Sequence, residues 1–83
     1  MEDEFLFGNL YKLDLHGLTR EEALAEILHY LNLLDNNYDG VVLVHGYHYG
    51  RVLKNLVRKE ISHPRIEKIV HINGGITAYK LKK

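Results

Sequence analysis

The sequence predicts an α/β domain, an α+β sandwich of order β-α-β-α-β-β with four strands in one mixed sheet and two helices. Three observations carry this expectation. Two segments, "TREEALAEILHYLNLL" and "RVLKNLVRKEI", place apolar residues at helical spacing, and each follows a strand-like run that ends at a glycine. Two further strand-like runs, "RIEKIVHIN" and "ITAYKLKK", close the chain and are joined by Gly74-Gly75, a favourable hairpin turn. The length of 83 residues suits a single domain, with residues 1–10 as an N-terminal arm and 11–83 as the core.

The elements follow in order. "EFLFGN" reads either as an extra edge strand or as an aromatic clamp, and the residues leave both open. In "LYKLDLHG", Leu13 and Leu15 share one face while Asp14 and His16 share the other, and Gly17 ends the strand. Thr19, with Glu22 three residues on, fits a capping box that satisfies the free N–H groups of the first helical turn. Leu24, Ile27, Leu28, Leu31 and Leu34 then form one face for packing on a sheet. "DNNYDG" is the turn out of this helix. "VVLV" is a continuous apolar run, as expected for a parallel strand covered on both faces. In the second helix Val52, Leu53, Leu56 and Val57 form an apolar arc, and Arg51, Lys54 and Arg58 cluster opposite. Glu60 falls inside the arc, so the helix is expected to fray or leave the core there. Pro64 stops it, because the residue before proline is pushed out of helical geometry.

Composition narrows the function classes. There is no cysteine, which excludes disulfides, thiolate chemistry and cysteine zinc sites. No apolar run reaches the length of a membrane span, and the acidic start "MEDE" lacks the basic beginning of a signal peptide. A cytoplasmic protein without membrane association is the expectation. The formal net charge is zero, yet residues 1–39 carry nine acidic and two basic side chains, and residues 40–83 carry nine basic and two acidic. Such asymmetry points to a surface facing a polyanion. The competing reading is that the halves interleave in space and their charges cancel.

The chemistry-bearing residues gather at two glycine turns, "LDLHG" and "VHGYHYG". A strand, a crossover helix and a parallel strand bring both carboxyl ends to one sheet edge. Asp14, His16 and His45 are therefore expected at the crevice where open α/β sheets place their ligands. The second helix opens immediately after Gly50, so its free N–H groups and positive dipole end suit a phosphate. Gly46 and Gly50 would let a backbone approach closely. Arg51 in the first helical turn opposes the dipole and makes better sense as an anion ligand. Either histidine taken singly also reads as a strand-end residue bonded to backbone. His45 and His48 have a spacing seen in metal pairs, but no third ligand is near them and no metal site is expected. Tyr47 and Tyr49 read as solvent-lapped aromatics or as base-stacking platforms beside basic residues. His29, His63 and His71 read as structural.

Taken together, "LDLHGLT", "VHGYHYGRVLK" and a glycine pair followed by "ITAYKL" resemble the small MutS-related (Smr) domain, over about Leu13 to Leu81. The resemblance implies a fold like the C-terminal domain of a bacterial translation initiation factor. It also implies DNA or RNA binding, often with nicking or endonuclease activity, sometimes helped by a divalent metal such as Mg2+ or Mn2+. Asp14, His16 and Gly17 match the first family motif, and His45, Gly46 and Gly50 match the second, an HGxGxG turn. On this basis Asp14, His16 and His45 are the catalytic candidates. Gly46, Tyr47, His48, Gly50, Arg51, Lys54 and Arg58 are the nucleic-acid- and phosphate-binding candidates. His48 replaces the middle glycine of the motif, and Val52-Leu53 replace the family's leucine and arginine, leaving Arg51 or Lys54 to clamp phosphate. Many members carry an N-terminal extension and partner domains, so the chain is expected to act as a homo-oligomer or with other proteins. The alternatives are a non-catalytic nucleic-acid-binding module and a protein-interaction module using the acidic first helix.

Overall fold

The structure, a computed structural model, describes residues 3–47 and 51–83. A 3-10 turn at Glu4–Phe7 precedes β1 (Leu10–Asp14), α1 (Arg20–Leu33), β2 (Gly40–Val44), α2 (Val52–Asn55), β3 (Ile66–Asn73) and β4 (Ile76–Leu81). The helix that begins as α2 continues as a π-helical turn over Leu56–Glu60. The sheet order is β1-β2-β4-β3. β1 and β2 are parallel, with Leu10 opposite Gly40 and Asp14 opposite Val44. β2–β4 and β3–β4 are antiparallel. No helix among the described residues is long and apolar enough to cross a membrane.

The capping box forms: Thr19 Oγ1 accepts from the Glu22 N–H at 3.1 Å, and Glu22 Oε1 accepts from the Thr19 N–H at 2.9 Å. From there α1 buries Ala23, Ile27 and Leu31. These meet Leu13, Leu15, Val41, Leu43, Tyr79 and Leu81 of the sheet and Leu53, Leu56, Val57 and Ile61 of the second helical segment. One face of the sheet thus holds the core, with both helices on it. Val42 and Val44 point the other way by alternation and are only half-buried, so β2 is not covered on both faces as the apolar run suggests. Periodicity cannot distinguish a strand buried twice from one whose second face is thinly covered.

Part of that second face is closed by the N-terminal arm. Phe5 is buried, and a Cβ built on Gly40 would lie 2.8 Å from its ring. "EFLFGN" is accordingly an aromatic clamp on a helical turn rather than a strand, and an ion pair from Asp3 to Lys68 at 2.8 Å ties it to β3.

The π-helical turn explains Glu60. Ile61 N–H donates to the Leu56 carbonyl at 3.0 Å, one residue further back than an α-helix would allow. The Val57 carbonyl freed by this shift accepts from the buried Tyr79 hydroxyl at 2.6 Å. The wider turn rotates Glu60 out of the apolar arc to the surface, where its Oε1 accepts from Arg20 at 2.7 and 3.0 Å. The helix widens; it does not fray. Arg65 closes the other end of the molecule by donating to the carbonyls of Leu31, at 2.8 Å, and Leu34, a cation at the C-terminus of α1.

Candidate nucleic-acid interface at the two His-Gly turns

β1 and β2 end side by side, and each is followed by a His-Gly pair. Gly17 and Gly46 both take left-handed backbone angles, φ 84° and 73°, which a side chain would strain. Each glycine turns the chain sharply off its strand. The turns also touch, since a Cβ built on Gly46 would lie 3.4 Å from His16 Cβ.

The two histidines differ in surroundings. His16 is exposed, and its Nδ1 lies 2.5 Å from Asp14 Oδ1. The same oxygen accepts the His16 backbone N–H at 3.2 Å. These bonds, the ring's first and the backbone's second, hold the Asp14 carboxyl below the ordinary carboxylate range. With Nδ1–H donated to a carboxylate, Nε2 is the basic nitrogen, and it has no partner among the described residues.

His45 is 2% exposed. It follows Leu43 on the helix-covered face, next to Thr77, which stands opposite Leu43. Its Nε2 lies 3.0 Å from Thr77 Oγ1 and its Nδ1 3.3 Å from the Gly46 carbonyl. A carbonyl only accepts, so Nδ1 carries the proton and Nε2 accepts from the Thr77 hydroxyl. Arg58 Nε in turn donates to Thr77 Oγ1 at 2.7 Å. Burial, and behind it the positive charges of Arg58 and Lys54, push the His45 pKa down against the opposing bond to Gly46. His45 is a neutral, fully engaged histidine.

Arg58, a phosphate candidate in the sequence, spends most of its guanidinium on the fold. Besides Thr77, it donates through Nη2 to the carbonyls of Asn73 and of Ile76, the latter at 3.1 Å, locking the helix to the β3–β4 turn. Arg51 and Lys54 have no ion-pair partner among the described residues and stand at the start of α2, and Lys54 is close enough to be felt by His45. α2 holds four α-helical residues before the π-helical turn over Leu56–Glu60 begins. A cavity of about 290 Å³ opens between Gly17, Leu18, Thr19 and Arg20 on one side and Val52 and Leu53 on the other.

Tyr47 is 72% exposed. Its ring rests on the Gly74-Gly75 turn, where a Cβ on either glycine would lie 2.8 or 2.9 Å from it. Neither of these glycines takes a left-handed angle. They are needed for the ring's approach rather than for a primed hairpin turn. His48, Tyr49 and Gly50, including two of the expected phosphate ligands, lie outside the described residues.

Sequence reasoning missed Thr77, the link between His45 and Arg58. A lone threonine in the apolar strand "ITAYKL" is its only local trace. Among the described residues no three His, Cys, Asp or Glu side chains converge.

The model of the Smr domain family matches residues 13–74. The chain belongs to the Smr domain family. No curated protein sequence matches it. Its fold is similar to that of the Smr domain of Thermus thermophilus MutS2 in a crystal structure, with TM-score 0.69 and 24% identity. The similarity covers 88% of this chain and 99% of that one. Both His-Gly turns, Tyr47 and the Arg51–Arg58 stretch fall inside the family match, whereas Thr77 and Tyr79 lie beyond its end.

Proposed function

We propose that this Smr domain binds DNA or RNA across its two His-Gly turns and the start of α2, and hydrolyses a phosphodiester there. The observation that carries the reading is the exposed Asp14–His16 pair, with Nδ1 held at 2.5 Å and Nε2 left open, beside the second turn. Asp14 orients His16 and stabilises the imidazolium that forms. His16 Nε2 takes a proton from the attacking water as the water oxygen bonds to phosphorus. The leaving oxygen, in line on the opposite side of phosphorus, takes its proton from solvent as the old P–O bond breaks, and the His16 imidazolium then releases its own to solvent. Arg51 and Lys54 hold the phosphate and offset the charge that builds on it. His45 positions rather than reacts: its hydrogen bonds to Thr77 and Gly46 fix the turn against which His16 stands.

The test is cleavage of labelled single-stranded RNA, single-stranded DNA, duplex DNA and branched DNA, with and without magnesium or manganese. His16→Ala and Asp14→Asn are each expected to lower the rate by about 10²–10⁴-fold, since a positioned base contributes that much. Affinity should stay near wild type, because backbone phosphate contacts dominate it. Equal cleavage by wild type and His16→Ala would assign the activity elsewhere. Binding without any cleavage would leave a non-catalytic nucleic-acid-binding module.

A further inference from the structure

Resting on that reading, we propose that Tyr47 is a stacking platform for an unpaired nucleobase, so that the site takes single-stranded nucleic acid rather than regular duplex.

Tyrosine rings elsewhere in the described structure are partly or wholly buried. Tyr30 and Tyr38 both pack on Tyr11, Tyr30 stacked at 4.8 Å and Tyr38 edge-on at 5.9 Å, and Tyr79 is wholly buried. Tyr47 instead shows 72% of its surface to solvent while resting on two glycines. The ring is braced on a rigid support. The Gly75 carbonyl accepts from the backbone N–H of both His45 and Gly46 at 3.0 Å, and Asn73 Oδ1 accepts the Gly75 N–H at 2.8 Å. Arg58 locks the same turn through the carbonyls of Asn73 and Ile76. An exposed aromatic side chain held this way loses little freedom on binding, which is what makes a contact efficient.

The chemistry of the neighbours selects the partner. A nucleobase offers a π-face whatever its identity, and Arg51 and Lys54 supply cations for the phosphates joined to it. In a regular duplex those faces are hidden in the stack, and only single strands, loops and flipped bases present them. The turn that carries Tyr47 touches His16, since a Cβ built on the adjacent Gly46 would lie 3.4 Å from His16 Cβ, so a strand whose base rests on Tyr47 would carry its backbone toward the Asp14–His16 pair.

The experiment is binding of fluorescein-labelled single-stranded RNA and DNA 12-mers and of matching duplexes, by anisotropy, to wild type, Tyr47→Ala, Tyr47→Phe and Gly75→Ala. Tyr47→Ala should weaken single-strand binding by about 5- to 150-fold, the range for one lost base–aromatic stack, and leave duplex binding unchanged. Tyr47→Phe keeps the ring and should stay close to wild type. Gly75→Ala displaces the ring and should resemble Tyr47→Ala. Oligomers with abasic sites should lose the same factor on wild type and lose nothing further on Tyr47→Ala. Comparing the RNA and DNA arms identifies which strand is preferred. If Tyr47→Ala binds single strands as tightly as wild type, or loses duplex and single strand equally, the stacking role is overturned while nucleic-acid binding stands. Failure of wild type to bind any oligomer would overturn the functional reading beneath it.

Discussion

His16 and His45 end neighbouring parallel strands in the same dipeptide, His-Gly, and meet opposite surroundings. Alternation decides this: Asp14 projects from the face away from the helices, while Leu43 and His45 project into the core. One histidine stays in water beside a carboxylate and the other is held neutral between Thr77 and the Gly46 carbonyl. A pH dependence follows. The unfolded chain takes up a proton at His45 near pH 6.5, and the folded chain, whose His45 pKa is depressed, resists it. The unfolded state then binds more protons, so stability falls as pH drops below about 6.5 and goes on falling to the folded pKa. Urea unfolding between pH 8 and pH 5 should show this decline, and His45→Gln, which does not titrate, should flatten it. An unchanged pH slope in His45→Gln would place the dependence in another group.

At the level of elements, the helix after the second turn is shaped by a strand remote from it in sequence. The Tyr79 hydroxyl occupies the Val57 carbonyl, and the helical hydrogen bond of Ile61 slips back to Leu56. This widened turn brings Arg58 onto Thr77 and frees Glu60 for Arg20. Tyr79→Phe leaves the Val57 carbonyl buried without its donor and should cost about 1–3 kcal/mol. Chemical denaturation measures the loss, and a cost below about 0.5 kcal/mol would mean that the turn relaxes to an α-helix at little expense. The exposed Arg20–Glu60 pair, by contrast, is worth only about 0–1 kcal/mol. Hydrogen bonding inside the core shapes this helix more than surface charge does.

Over the whole molecule the two oppositely charged halves interleave. Asp3 pairs with Lys68, Asp39 with Lys83 and Glu60 with Arg20, each across the division between residues 39 and 40, while Lys80 pairs locally with Glu67. Arg58 and Arg65 are committed to backbone carbonyls. Five of the eleven cations are without such commitments among the described residues, Lys12, Arg51, Lys54, Lys59 and Lys82, and of these Arg51 and Lys54 stand at the start of α2, after the second His-Gly turn. Binding to a single strand should therefore show a shallow salt dependence, with a log–log slope of about −1.4 to −2.8, as for two to four phosphates. Arg51→Ala and Lys54→Ala should each flatten it by about 0.7 and weaken binding uniformly across sequences. A much steeper slope would show that cations paired in the free protein are released to the nucleic acid.

Element order, the capping box, the parallel β1–β2 pair and the meeting of the two His-Gly turns were legible in the residues. Each depends on local periodicity, on a short-range hydrogen bond or on the handedness of a crossover, and all three are written in consecutive positions. Asp14 as the partner of a histidine was legible too, because the two residues are only two apart. The roles of His45, Arg58, Gly74 and Gly75 were not. They depend on Thr77, Tyr79 and Tyr47, which reach them across the sheet from 19 to 32 positions away. The sequence by itself determined a β-α-β-α-β-β Smr domain with two glycine turns at one sheet edge. Only the tertiary structure decided which histidine faces solvent and which cations remain unpaired, because both follow from burial and from long-range hydrogen bonds that no local pattern encodes.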